Sequence, residues 1–276
     1  MHVLGCSFRQ SLTDFDPIAE TFLLLSQEVP AQTLGIIDKA AANLEVNVHK
    51  QTFDIQQSPA LLCSGREAGT TGAVLWKITP MVANWLCCTD NFLWKHGWLK
   101  NNSTIMELGC GISGLVPLSM ASLLADGLYI LTDQQYMMKQ LGKNVTANRH
   151  LNRRKTSHQG LDIHTMTFDW ETDDVANVSR LLESKKRHLE LILACDCVYN
   201  EYLIHPFVDV CHRLCALRRN ASKQTGLLVC QQLRSQEVLQ TWLEEMLKEF
   251  VVFRIPFENL PEDLQRGYVL HFAVLR

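Results

Sequence analysis

The stretch TIMELGCGISGLVPLSMASLLA, Thr104 to Ala125, constrains the fold of this chain more than any other. A short apolar run of strand length leads into three glycines in G-x-G-x-x-G register, Gly109, Gly111 and Gly114. Apolar residues at helical spacing follow. A strand, a glycine turn and a helix in that order form a βα unit whose backbone can approach a ligand closely at the carboxyl end of the strand. Pro117 fits the first turn of the helix, where its missing N–H is not needed.

The alternation continues toward the C-terminus. LYILTD, DIHTMTFDW, LELILACDCVY and TGLLVCQQL read as strands, and QQYMMKQLGKNVTANRHL, HPFVDVCHRLCAL and SQEVLQTWLEEMLKEF as helices, the last capped by Ser235. LELILACDCVY is continuously apolar, as a central strand covered on both faces should be. VVFRIPF and YVLHFAVLR are separated by about a dozen residues, too few for a loop and a packed crossover helix, so the last strand is expected to run antiparallel. AVLWKITPMVANWLCC reads as a helix ahead of the glycine turn. The expectation is an α/β fold: a Rossmann-like, seven-stranded, mostly parallel sheet with an antiparallel C-terminal strand and helices on both faces, plus an N-terminal extension. That extension is assigned to residues 1–60 and the main domain to 61–276. Within it, DPIAETFLLLSQEV reads as a helix behind Asp16 and Pro17, QTLGIIDKAAANL as a second short helix, and LEVNVHKQTFDI as one or two strands.

A formal net charge of −3 argues against a broad phosphate-tracking face. The local basic runs NRRK (152–155) and KKR (185–187) read as solvated loops or helix ends. No apolar run approaches the roughly 20 residues needed to span a bilayer, and the N-terminus does not resemble a signal peptide. A monomer in the cytoplasm or nucleus, with no membrane partner, is expected. The ten cysteines are irregularly spaced and several lie in apolar runs, which suits reduced, buried thiols. Cys195, Cys197, Cys211, His212 and Cys215 do not have a common structural-zinc spacing, so no metal is expected.

The glycine loop alone would serve a nicotinamide dinucleotide, a flavin or S-adenosylmethionine. Its neighbouring acids narrow the choice. Glu107, two residues before the first glycine, can engage a cationic or amine-bearing ligand, whereas it would repel a pyrophosphate; the competing reading is a helix-dipole partner. Asp133 ends the next strand, where an acid accepts hydrogen bonds from ribose hydroxyls. Asp169 and Trp170 end the third, where an indole can cover an adenine ring and an acid can reach its exocyclic amine; the competing reading of Trp170 is core packing.

GAVLWKITPMVANWL, ELGCGISGL, LTD, FDW and DCVY, in that order across roughly residues 70 to 275, resemble the class I, seven-strand S-adenosylmethionine-dependent methyltransferases. The closer resemblance is to the family 16 protein-lysine methyltransferases, and within them to the fungal ribosomal-protein lysine methyltransferase 5 group. A reversed C-terminal strand is typical of that class. The resemblance implies cofactor contacts from Trp76, from Gly109, Cys110 and Gly111 toward the methionine part, from Asp133 toward the ribose, from Trp170 beside the adenine, and from the backbone of Cys195. It makes Asp196 and Tyr199 the Asp-x-x-Tyr signature. The cysteines at 195 and 197 depart from the small or aliphatic residues usual there.

Methyl transfer to lysine requires the neutral amine, while free lysine has a pKa near ~10.4. Desolvation lowers it. Asp196 would orient the amine, and Tyr199 would wall a narrow lysine channel. The implied activity is S-adenosyl-L-methionine-dependent protein-lysine N-methylation, with a ribosomal protein, of the large-subunit L1 type, as the substrate the resemblance suggests. A nucleic-acid or small-molecule methyltransferase is the first alternative, although an Asp/Asn-Pro-Pro-aromatic loop is absent. A non-catalytic binding module with the same fold is the second, and the retained acids and glycines argue against it.

Overall fold

A computed structural model describes residues 16–26, 35–64, 70–149, 160–218 and 223–276. Helix α1 (Pro17–Leu25) is capped by Asp16, whose carboxylate accepts the Ile18 N–H at 3.0 Å. Strands β1 (Asn43–Val48) and β2 (Gln51–Gln56) form an antiparallel hairpin. Short helix α2 (Pro59–Leu62), α3 (Ile78–Leu86) and α4 (Phe92–Lys95) then lead into the regular part of the chain. There β3 (Thr104–Leu108), α5 (Leu115–Met120), β4 (Leu128–Asp133), α6 (Gln135–Asn148) and β5 (Asp162–Thr167) follow in sequence. Helix α7 (Ala176–Lys185), β6 (Leu191–Cys195), α8 (Ile204–Ala216), β7 (Gly226–Gln232), α9 (Gln236–Glu249), β8 (Phe250–Arg254) and β9 (Tyr268–Leu275) complete it.

The main sheet has seven strands in the order β5-β4-β3-β6-β7-β9-β8. β3 pairs in parallel with both β4 and β6, and β6 pairs in parallel with β7. Only β9 is reversed, lying antiparallel between β7 and β8. The fold expected from the sequence is the fold observed. The chain winds outward from β3 to β5, returns to β6 and winds outward the other way. Its switch point is therefore the β3–β6 boundary, where such sheets open a crevice beyond the strand ends.

Side chains alternate across the sheet, as a pleated strand requires. Ile105, Tyr129, Leu131, Leu193 and Leu228 enter one core with α3, α5, α6 and the hairpin. Met106, Ile130, Ile192, Leu227 and Val229 enter the other with α7, α8 and α9. Leu24 of α1 is fully buried in this second core. On the same helix, Glu20 is buried and lies 2.8 Å from Arg254 Nε of β8.

Two asparagines on α6 join the hairpin to the sheet. Asn144 accepts the Gln56 N–H at 2.9 Å and donates to the Gln56 carbonyl at 2.9 Å. Asn148 does the same for Asp54, at 3.0 and 2.9 Å. Four helical residues advance about 6 Å and two strand residues about 6.6 Å, so carboxamides one turn apart can follow the free edge of a strand. Asn144 reaches further and donates to the Ile112 carbonyl in the glycine loop at 2.7 Å.

Three readings of the sequence need correction. QTLGIIDKAAANL forms no helix in its described part. Gly35 takes φ +83°, the chain at 35–37 runs beside 75–77, and Asp38 folds the next residues into a turn by accepting from Ala40 N–H at 2.8 Å. The helix predicted over AVLWKITPMVANWLCC begins only at Ile78, because Trp76 is bridged to Ile36. Helix α7 was not expected at all. The run NRRK lies outside the described residues.

The asparagine contacts make a stability prediction. Asn144→Leu strands the Ile112 carbonyl and the Gln56 N–H and leaves the Gln56 carbonyl only its bond from Gln140 at 3.2 Å, and is expected to cost about 3 kcal/mol. Asn148→Leu, which touches one residue of the strand edge, should cost about half of that. Urea midpoints of the two variants, compared at unchanged slope, give the measurement.

Candidate active site

Gly109 and Gly111 sit at φ +64° and +62°, a region that side-chain-bearing residues rarely adopt. Space also excludes a side chain. A Cβ on Gly109 would stand 2.9 Å from the Cβ of Cys197 and 3.3 Å from Trp170, and one on Gly111 would stand 2.9 Å from the Gly72 carbonyl oxygen. The loop is gripped by its backbone. Cys110 N–H donates to the Thr132 carbonyl at 3.0 Å, and Ile112 N–H donates to the Gly72 carbonyl at 3.1 Å. Gly111 N–H donates to Asp133 Oδ2 at 2.7 Å.

Above this loop, at the switch point, opens a cleft of about 430 Å³. It collects every site residue read from the sequence. Glu107, Gly109, Cys110 and Gly111 come from the end of β3, and Asp133 from β4. Asp169 and Trp170 follow β5, Cys195, Asp196 and Tyr199 follow β6, and Trp76 precedes α3.

The acids stand in two different environments. Glu107 is buried, and its Oε2 accepts the Tyr129 hydroxyl at 2.8 Å. Burial pushes its carboxyl up to about 8; the Tyr129 hydrogen bond opposes the rise and the charge of Asp133 adds to it. Burial also raises Asp133, to about 6, against the N–H groups of Gly111 and Gln134 that its carboxylate accepts. No cation partners either group among the described residues.

Asp196 is different. It follows β6 at φ +56°, which aspartate tolerates better than most residues, and its N–H donates to the Cys230 carbonyl at 2.7 Å. Its carboxylate is nearly enclosed and is paired with the Arg234 guanidinium, while its Oδ1 accepts the Gln232 N–H at 3.2 Å. Arg234 in turn lies 4.9 Å above the ring of Trp76. The Trp76 indole N–H donates to the Thr71 carbonyl at 2.9 Å, and the Thr71 hydroxyl donates to that of Tyr199 at 3.2 Å. Asp196, Arg234, Trp76, Thr71 and Tyr199 thus form a continuous rim.

The remaining residues divide between cleft and core. Trp170 faces the cleft and also packs edge-on to Phe207, with centroids 5.3 Å apart. Asp169 accepts the Glu171 N–H at 3.0 Å and the Gln134 carboxamide at 3.4 Å. Cys197 is buried against Gly109, and Cys211 and Cys215 are buried in the second core. Among the described residues no group of three or more His, Cys, Asp or Glu is arranged to hold a metal.

Sequence reasoning missed Gly72 and Tyr202 of the cleft lining, the latter 88% exposed at its mouth, and Arg234, which pairs with Asp196 from beside it. Arg234 had one usable signal. It follows β7, the strand paired with β6 through Cys195 and Cys230, so it stands at the neighbouring strand end.

The seven-stranded sheet of this order, with its glycine loop at the switch point, is a Rossmann-like fold that opens one cleft beyond its strand ends. The family model for lysine methyltransferases matches residues 55–249, more than half of the chain, and the chain belongs to that family. Among curated relatives, it is 25% identical to ribosomal lysine N-methyltransferase 5 of Vanderwaltozyma polyspora, over 86% of this chain and 90% of that protein. It is 30% identical to the protein of the same name from Zygosaccharomyces rouxii, over 72% of this chain and 71% of that one. A Schizosaccharomyces pombe protein named diaminohydroxyphosphoribosylamino-pyrimidine deaminase is 26% identical over 92% of this chain, which covers 56% of that protein.

The buried acid makes a pH prediction. The unfolded chain releases the Glu107 proton near 4.5 and the folded chain near 8, so between those values the folded state holds more protons. This residue's contribution to stability is therefore greatest below pH 4.5 and is lost as pH rises toward 8, with a slope of up to ~1.4 kcal/mol per pH unit. Glu107→Gln should flatten that slope and gain stability relative to wild type as pH rises. Urea denaturation at several pH values checks it.

Proposed function

We propose that this chain is an S-adenosylmethionine-dependent protein-lysine N-methyltransferase acting on a ribosomal protein. The observation that carries the reading is the convergence of the β3, β4, β5 and β6 ends on one cleft, with an acid–tyrosine pair at its rim. The cleft fits such a cofactor by its donor set. Glu107 and Asp133 are acids that burial keeps short of a cation, and a positively charged ligand compensates both. Trp76 and Trp170 offer flat faces. When bound, S-adenosylmethionine supplies an electrophilic methyl group on a positively charged sulfur.

The chain's own residues prepare the amine. An isolated carboxylate beside a lysine would favour the ammonium form, which cannot react. Asp196 is already paired with Arg234, so it can orient a neutral amine without stabilising the charged one. Tyr199 and the exposed Tyr202 form the mouth through which a lysine arm enters, and their rings favour a cationic head during entry. The ribosomal substrate rests on the names of the yeast relatives, and with it a cytoplasmic location. No helix among the described residues is long and apolar enough to cross a membrane. We also assign catalysis to residues 61–276, with 1–60 as an accessory extension, and expect a monomer.

Labelled-methyl transfer into cell extract, with the product identified by mass spectrometry, tests the substrate class; label in RNA and none in protein would overturn it. Asp196→Asn should lower transfer by at least ~100-fold while calorimetry finds cofactor affinity little changed. Wild-type turnover in that variant would remove the role given to Asp196. Arg234→Gln unpairs Asp196, raises the pKa of the bound amine, and should move the pH–rate profile of transfer to higher pH. Cofactor affinity of the wild type should rise from pH 6 through about 8 as Glu107 ionises, and Glu107→Gln should lose that dependence.

A further inference from the structure

A second cavity, of about 260 Å³, lies at the opposite end of the sheet, by the first residues of β3, the approach to β6 and the approach to β7. Lys100, Lys186, Arg187, Arg218 and Lys223 line it, and Glu190 is the carboxylate among them. On a chain of net charge −3 this is a local concentration of positive charge.

The architecture accounts for part of it. Arg187 ties down the rim by donating to the carbonyls of Asn102 and Asp126 at 3.0 and 2.7 Å. Glu190 is committed to the Thr104 N–H at 2.7 Å and lies 3.3 Å from Arg218. What remains are donors without acceptors. The Lys100 ammonium makes no hydrogen bond or ion pair among the described residues, while the Lys100 N–H donates to Ser103 Oγ at 2.8 Å. Arg218 Nε and the hydroxyl of the fully buried Thr104 also have no hydrogen-bond partner, but both atoms lie beneath the cavity wall. Lys223 donates to the Gly97 carbonyl and lies 5.0 Å over the Trp98 ring, which leaves two of its N–H groups.

Geometry keeps the arms together. A Cβ on Gly97, which sits at φ +68°, would stand 3.3 Å from Lys100 Cε and 3.7 Å from Lys223 Nζ, so the glycine leaves the space between them open. Burial lowers the pKa of Lys223, and the charges of Lys100 and Arg218 lower it further. The cluster repels itself, and an anion would relieve that repulsion.

We propose that this cavity binds a phosphate-bearing anion, independently of the active cleft. Several ammonium and guanidinium groups around one pocket match the acceptor oxygens and multiple charge of a phosphate better than they would match a single carboxylate. The space exceeds one phosphate, which points to a diphosphate or to adjacent phosphates of a nucleic-acid strand. Lys186 and Arg187 belong to the KKR run, so that run becomes part of a site as well as a helix end.

The test uses the full chain at low ionic strength, with inorganic pyrophosphate titrated by calorimetry and a short single-stranded RNA titrated by fluorescence anisotropy. Lys100→Glu is the informative variant, because the Lys100 side chain makes no hydrogen bond or ion pair among the described residues and its thermal midpoint without ligand should be no lower than that of wild type. Pyrophosphate should bind the wild type and bind Lys100→Glu at least about tenfold more weakly, with Lys223→Gln behaving alike. RNA binding that is equally sensitive to Lys100→Glu and is displaced by pyrophosphate would identify a strand backbone as the source. Pyrophosphate binding without RNA binding would identify a free anion. If neither ligand binds the wild type, or if Lys100→Glu binds as tightly as wild type, the proposal is overturned.

Discussion

The glycine-bearing loop beneath the cleft is shaped by the segments that grip its backbone. Thr132 takes the Cys110 N–H, Asp133 the Gly111 N–H and Gly72 the Ile112 N–H, while Asn144 holds the Ile112 carbonyl. These four partners come from β4, α6 and the segment ahead of α3. The same Asn144 binds the edge of the hairpin, so the N-terminal part of the described chain and the ligand loop share one side chain. Gly72 also fixes how closely the rim can approach, because its carbonyl oxygen lies where a Cβ on Gly111 would be. Loop shape, cleft depth and hairpin docking are one coupled arrangement.

The cleft treats its carboxylates in opposite ways. Glu107 is buried and Asp133 half-buried, beside a hydroxyl and backbone N–H groups that carry no charge, and both carboxyls move toward the neutral form. Asp196 is enclosed as well but is given Arg234. A buried charge is costly unless paired. Two acids left short of a cation therefore favour a cationic ligand at the floor of the cleft, while the paired acid at the rim adds little net field. Arg234 is itself held from its other side by the face of Trp76, so the rim acid, its counterion and an indole wall are positioned together.

What the sequence makes legible follows from locality. Strand and helix periods, the glycine register and the acids at strand ends are all written within a few residues, and they lead to the right sheet and to residues that share one cleft. Contacts set by the order of strands are not written locally. Arg234 stands 38 positions after Asp196 and meets it only because β7 lies beside β6. Asn144 and Asn148 look like ordinary polar helix residues until a strand edge is brought against them. Helix α7 was missed because it is largely polar, with Val178 and Leu182 as its buried residues. Over QTLGIIDKAAANL a left-handed glycine and pairing with the segment at 75–77 replace the short helix read from the sequence, because that partner is distant in the chain.

Net charge was a misleading guide to surface chemistry for a related reason. A value of −3 is a sum, and the structure separates its terms. The carboxyl ends of the strands carry Glu107, Asp133 and Asp169, and the opposite end carries Lys100, Arg187, Arg218 and Lys223. The two ends of the sheet therefore differ in charge even though the sum is small, and an anion is drawn toward the far cavity over roughly the ~10 Å that salt leaves unscreened. Net charge argued only against a broad basic face, and a local basic cluster at the end of the sheet away from the cleft is compatible with it.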